Sequence, residues 1–434
     1  MTDRRQFLRQ AAAIGAVGLA GCSGLAASGE TDDPTETADG TDPSAEGPTT
    51  PTATTSPTPD HPDEVVIGSN HPLTGSLAWT GKRLHQAVKL AATIKNENGG
   101  IQSMNGAEVT VIKGDNKGDP SLGAEVAQEL VDDGAQILTG CYSSPVTNAA
   151  TRVAESTGTP FVIDISVAAK ILQETPLEYV YRAQPNSFAQ ASDHIKNIQA
   201  VAGSDLSIET AGLFYIDTTY GQSIRDGLRR AVGDTDIEIV EEATIGFGGT
   251  ADTQVTKFRQ ADPDILIPTV FTSQLLELVS AMQDQDYWPP LFAGCATAGW
   301  NQPTFEKMGS VINGSIATEY AIDPTSQRAA AVRQRFRETY DAPMDPNVGM
   351  AFATAQVMIE AFEQAGTTNK ETLNAALGKI TVSDHIMAMP PIEFTKNGEN
   401  KNPLSVLRQA QNLIPKIIYP DRYAQAEPKS FDGN

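Results

Sequence analysis

From Glu64 onward, short β-branched runs alternate with longer stretches of helical period, and this alternation restricts the chain to few folds. Apolar runs at 65–68, 108–113, 136–139, 161–163, 211–215, 237–243, 265–267 and 314–318 predict strands. The segments 83–98, 121–133, 146–156, 188–201, 220–231, 253–260 and 274–283 predict the helices between them. Apolar strands separated by helices belong in parallel sheets covered on both faces, an α/β arrangement. The series breaks near 182–187, and the roughly 370 residues after the first 63 are too many for one small core, so two lobes are expected. Helical segments at 327–340, 348–364 and 371–378, then short strands within 392–419, suggest that the chain returns to the first lobe after building the second.

The N-terminus says where such a chain works. Asp3-Arg4-Arg5-Gln6-Phe7-Leu8-Arg9 precedes an uncharged run over 11–20, too short to span a membrane and built like an export signal. It ends in Leu19-Ala20-Gly21-Cys22, which resembles the lipobox of bacterial and archaeal lipoproteins. The arginine pair resembles the signal of the Tat pathway, which exports folded proteins. The resemblance implies cleavage before Cys22 and a lipid on its thiol, placing the protein on the extracellular face of the cytoplasmic membrane. Residues 23–63 carry no Lys, Arg or aromatic residue and are mostly Thr, Pro, Ser, Gly, Ala, Asp and Glu. They lack the apolar surface to offset the entropy of ordering and are expected to form a stalk.

The sequence has 54 acids against 31 bases, and beyond residue 64 it still has 43 against 28. Nucleic acid is therefore not an expected partner. An acidic surface together with a Tat-like signal fits a salt-loving archaeon. Cys141 and Cys295 lie far apart with no metal-ligand spacing, and no metal or cofactor is expected. The histidines at 61, 71, 85, 194 and 385 form no nucleophile-base arrangement, and no GxSxG, HExxH or GxxxxGK occurs, so an enzyme is not expected.

In open parallel sheets, ligands sit beyond the carboxyl ends of the strands. Four loops qualify. Residues 70–81 include Trp79 and Thr80, which no periodic pattern places in a core. Gly140-Cys141-Tyr142-Ser143-Ser144-Pro145 opens a helix and directs serine hydroxyls and free N–H groups into the crevice. Asp217-Thr218-Thr219-Tyr220-Gly221 and Thr269-Val270-Phe271-Thr272-Ser273 do the same in the second lobe.

The ordered motifs Pro72-Leu73-Thr74-Gly75, Asn98-Gly99-Gly100-Ile101, Asp115-x-x-x-Asp119-Pro120, Ser143-Ser144, Tyr220-Gly221 and Tyr419-Pro420 resemble the branched-chain amino-acid and amide binding proteins of ABC transporters, type I periplasmic-binding folds. The likeness spans about 65–426. It implies two Rossmann-like lobes joined by three crossings, near Asn186, Glu319 and His385. The first lobe is then 64–186 with 319–385, the second 187–318 with 386–426, and 427–434 a tail. By the same resemblance, Ser144 takes the ligand carboxylate, Ser166 and Ala168 supply backbone contacts, and Tyr220 closes on the ligand. Thr80, one position after Trp79, and Phe271 provide the aromatic positions of the pocket.

One departure bears on the ligand. Where amino-acid binders hold the ammonium with two acids, this chain has Ser187 and Cys295 or Ala296. An unpaired buried ammonium costs several kcal/mol. Either Asp164 replaces those acids, or the solute lacks an α-ammonium: an amide, a urea-like compound or a small carboxylic acid. The expected partners are such a solute, an ABC permease and the membrane reached through the lipid. A sensor presenting its closed form to a separate receptor is the alternative.

Overall fold

The computed structural model describes residues 62–173, 176–202 and 208–430; the expected export signal, Cys22 and the expected stalk through residue 61 lie outside the described residues. Pro59–Asn434 hold together as one unit built on two sheets. The first lobe runs β1 (Glu64–His71), α1 (Ala78–Glu97), β2 (Glu108–Asp115), α2 (Pro120–Asp132), β3 (Ile137–Gly140), α3 (Ser144–Thr157), β4 (Phe161–Ile163), α4 (Lys170–Gln173) and β5 (Val180–Arg182). Its strands are all parallel, in the order β2-β1-β3-β4-β5. The central strands are apolar on both faces because helices cover both: Ile67, Ile137 and Val162 are fully buried.

The second lobe follows with α5 (Ser187–Ala202), β6 (Thr210–Ile216), α6 (Thr219–Val232), β7 (Glu238–Ile245), α7 (Asp252–Ala261), β8 (Ile265–Thr269), α8 (Thr272–Asp284), β9 (Leu291–Cys295), α9 (Gln302–Met308) and β10 (Ile316–Glu319). The chain then returns with α10 (Gln327–Tyr340), α11 (Pro346–Ala365) and α12 (Lys370–Leu377), of which α11 packs on α1. It ends in β11 (Val406–Gln411) and β12 (Ile414–Tyr419). The second sheet has the order β12-β11-β10-β9-β8-β6-β7.

Three features differ from the sequence-based expectation. β11 runs antiparallel to β10, and β12 runs antiparallel to β11 because Asn412 and Leu413, both at positive φ, join the two in a tight hairpin. β5 and β9 were not anticipated, since one spans only three residues and the other, Leu-Phe-Ala-Gly-Cys, has no β-branched residue. The last crossing comes after Asn400 rather than near His385. Gly398 accepts from Arg182 N at 2.7 Å, Asn400 Nδ2 donates to Ala183 O at 2.5 Å, and the rings of Phe394 and Tyr181 lie 5.0 Å apart. The segment 394–400 thus borders β5 in the first lobe before the chain leaves it.

The resemblance-bearing motifs act locally. Asp115 accepts from Leu73 N, Thr74 N and Thr74 Oγ1, tying the first loop to the end of β2. Asp119 caps α2 through Ser121 N and Leu122 N, with Pro120 in the first turn. At Gly221 a Cβ would lie 2.0 Å from Ile216 O, so only glycine lets α6 start this close to β6. At Gly140, φ is +124° and a Cβ would meet Asn70 O at 2.2 Å.

Candidate functional site

The lobes meet over a cavity of about 40 Å³. From the first lobe it is lined by Tyr142 and Ser144, by Ile165, Ser166 and Val167 after β4, and by Asn347 on α11. Gln190, Tyr220, Phe271, Ala296 and Ala298 line it from the second, with Glu319 and Tyr320 where β10 leads back. Every one of these strands contributes at its carboxyl end, where helix N-termini and loops leave polar groups uncommitted.

The aromatic wall is continuous. Phe271 lies 5.8 Å from Tyr142 across the cleft, 5.2 Å from Tyr220 and 5.6 Å from Phe247, centroid to centroid. Tyr142 and Phe271 also line a larger vestibule of about 340 Å³ that includes Thr80 and Trp79, so this pair separates the inner cavity from the outer cleft. Burial pushes the Tyr142 and Tyr220 hydroxyls well up, and both stay neutral donors. Tyr220 uses its proton on Ala296 O at 2.5 Å.

Polar groups in the wall divide by lobe. Ser144 Oγ accepts from Ala168 N at 3.4 Å and keeps its own proton to donate. Asn347 accepts from Tyr320 Oη through Oδ1 at 2.6 Å, leaving its amide N–H groups. Opposite them, Gln190 donates to Pro185 O at 2.9 Å while its buried Oε1 has no partner. Glu319 receives Arg408 Nη1 on Oε2 at 2.7 Å. Burial raises the Glu319 carboxyl to about 7, against the pull of Arg408. First-lobe donors therefore face second-lobe acceptors.

The expected residues divide accordingly. Tyr142, Ser144, Ser166, Tyr220 and Phe271 converge on the cavity, whereas Thr80 and Trp79 line the vestibule and not the cavity. Trp79 is 53% exposed, its ring covered by the Arg83 guanidinium at 3.4 Å. Ser143 is the N-cap residue of α3 and stays outside the wall. Ala168 is committed internally, donating to Ser144 and accepting from Arg182 Nη2 at 2.8 Å. Cys295 is buried behind the wall, with Ala296 in its place.

Asp164 does not line the cavity. It is fully buried, with Oδ2 at 2.7 Å from His71 Nε2 and Oδ1 taking Ile165 N at 2.7 Å. Ser187, at one missing-acid position, joins Ser223 Oγ at 2.8 Å and takes Ala169 N, binding the lobes beside the hinge. Sequence reasoning missed Gln190, Glu319, Tyr320 and Asn347. Glu319 had a signal, since it ends a strand and is followed by a tyrosine. Gln190 and Asn347 look like ordinary helix residues. Among the described residues, no group of three or more His, Cys, Asp or Glu could hold a metal.

A sequence model of the family described as periplasmic binding protein matches residues 64–412. A Leu/Ile/Val-binding protein homolog of Brucella abortus is 24% identical over 378 residues, covering 84% of this chain and 92% of that one. The branched-chain amino acid transporter substrate-binding protein of Streptococcus pneumoniae, solved with isoleucine, superposes with a TM-score of 0.69 at 19% identity, covering 81% of this chain and 97% of that one. A solute-binding protein of an R. palustris ABC transporter, solved with benzoate, gives a TM-score of 0.70 at 17% identity, covering 85% and 98%. At these identities the superpositions establish the fold.

Proposed function

Because the chain belongs to the periplasmic binding protein family, we propose that it closes its lobes on a small solute and delivers it to the permease of an ABC importer. The observation that carries this reading is the polarity of the cavity, with Ser144 and Asn347 as donors on one lobe and Gln190 Oε1 and Glu319 as acceptors on the other. A solute bridging both lobes stabilises the closed form only by its differential affinity for it. It needs an acceptor at one end and an N–H or O–H donor at the other.

Glu319 is already compensated by Arg408, so a neutral donor fits better than a full ammonium. We therefore place the solute among amides, urea-like compounds and small acids that carry a neutral N–H or O–H donor, with an apolar body against Tyr142, Tyr220 and Phe271. The ligands of the two solved structures lie on either side of that range, isoleucine with a full ammonium and benzoate with no donor. A thermal-shift screen of the full-length protein with amides, carboxylic acids and amino acids tests it, since a ligand bound only to the folded state raises the melting temperature. Shifts from amino acids alone would remove the neutral-donor assignment. A screen without any shift would remove the binding role.

We also infer export by the Tat pathway and a lipid on Cys22, with the stalk holding the trap outside a salt-loving archaeal cell beside its permease. Mass spectrometry of the membrane fraction should find a mature N-terminal cysteine bearing lipid. Cys22→Ser should move the protein into the medium, and retention in the membrane would contradict the anchor.

A further inference from the structure

Another concavity, of about 550 Å³, adjoins the outer cleft at Trp79 and Pro303 and is lined from both lobes. Arg333 and Arg337 of α10, Arg408 of β11 and Lys416 of β12 all reach it. Arg333 and Arg337 are four residues apart on one helix, so their side chains share a face. Neither they nor Lys416 form an ion pair among the described residues. Their repulsion is felt: burial and the charges of Arg337 and Arg408 hold the Arg333 guanidinium below its ordinary range. Two acids also line the groove. Asp345 is held by Arg83 at 2.7 Å, and Glu306 takes a hydrogen bond from Gln302 Nε2. A chain with 54 acids and 31 bases has thus gathered four cations, three of them unpaired, in one concave place.

We propose that this groove binds a small divalent oxyanion of the sulfate or phosphate class, held by Arg333, Arg337 and Lys416 with Arg408 at its inner wall. Guanidinium groups match oxyanions bidentately, and a concave low-dielectric wall concentrates the opposite charge. The site also communicates with the cleft. Arg408 reaches Glu319 at 2.7 Å, and Glu319 lines the solute cavity while Arg408 lines the groove. An anion that draws on Arg408 leaves the Glu319 carboxylate less compensated and favours its protonated form. Because α10 belongs to the first lobe and Lys416 to the second, a bound anion also favours contact between the lobes.

Inorganic sulfate is the probe, since its charge does not change across the relevant pH range. The full-length protein is titrated with potassium sulfate at constant ionic strength set with potassium chloride, and its melting temperature is followed. The expected result is a rise that saturates in the wild type and whose saturable part is lost in R333Q/R337Q. An equal rise in both proteins, a rise that never saturates, or no rise would overturn the site. If the double variant does not fold, Lys416→Gln replaces it and should raise the half-saturating sulfate concentration severalfold; an unchanged midpoint would overturn the proposal. Carbon-13 NMR of the Glu319 carboxyl reads the coupling. Its titration midpoint should move upward with sulfate, and a fixed midpoint would rule the coupling out.

Discussion

Arg408 and Glu319 meet at 2.7 Å, Nη1 to Oε2, with only 8% and 9% of their side chains exposed, and join the β10 crossing to the neighbouring strand β11. This buried pair sits where the chain leaves the second lobe, so one ion pair contributes to both the hinge and the wall of the cleft.

Glu319 imposes a pH dependence whose sign follows from the direction of its shift. Its carboxyl is raised from 4.5 to about 7, so between these values the folded state holds a proton that the unfolded state has lost. The stabilisation is complete below about 4.5 and is lost as pH rises through about 7. At constant ionic strength the melting temperature should fall from pH 5 to pH 8, and Glu319→Gln should show a smaller fall. A fall of the same size in the variant would assign the dependence to the general acidity of the surface.

Asp164→Ala is expected to act on stability. It leaves His71 Nε2 buried without its hydrogen-bond partner, and orphaning a buried polar group in this way costs about 1–3 kcal/mol. Denaturant unfolding measures the loss. A variant of unchanged stability that had lost solute affinity would return Asp164 to the ligand site.

Gln190→Met removes one hydrogen bond, to Pro185 O, and with it the unpartnered Oε1. Stability should change by no more than about 1 kcal/mol. Affinity for the solute identified by the screen should fall about tenfold, the equivalent of about 1.4 kcal/mol. Calorimetric titration alongside chemical unfolding separates the two quantities.

Tyr220→Ala removes the second-lobe ring packed on Phe271 and the hydrogen bond to Ala296. Closure should suffer more than docking on the first lobe. Small-angle scattering should find little contraction on adding solute, and full contraction would count against Tyr220 as the closing contact.

Gly221→Ala places a Cβ 2.0 Å from Ile216 O and forces α6 away from β6. Overpacking of this kind costs about 1–3 kcal/mol, and a shift of Tyr220 by the same movement should weaken solute binding as well. Paired unfolding and binding measurements on this variant test both effects.

Much of the architecture was legible because its causes are local. Strand-helix alternation and the helix opened by Ser143-Ser144-Pro145 depend on neighbours within a few residues, and so do the Asp119 cap and the close approach at Gly221 that the structure adds. The motifs that carry the family resemblance belong largely to this class. Asp115 secures the Pro72-Leu73-Thr74-Gly75 loop and does not line the cavity. Ser144, Tyr220 and Phe271, which follow strand ends, were found for the same reason, since the carboxyl end of a strand is a position readable from order alone, whereas Ser166 came from the family resemblance.

The chemistry of the cleft was decided elsewhere. Asp164 looked available until the fold brought His71, 93 positions earlier, to 2.7 Å from it. Glu319 looked like a hinge residue, and its partner Arg408 lies 89 positions later. Gln190 and Asn347 line one cavity only because two lobes from interleaved stretches of chain close on each other. The sequence by itself determined the α/β elements, their caps and the loops that face the crevice, because hydrogen bonding and hydrophobic period act over a few residues. Tertiary structure alone decided which polar groups are spent on one another and which remain for a solute, because that depends on distances between residues far apart in the chain.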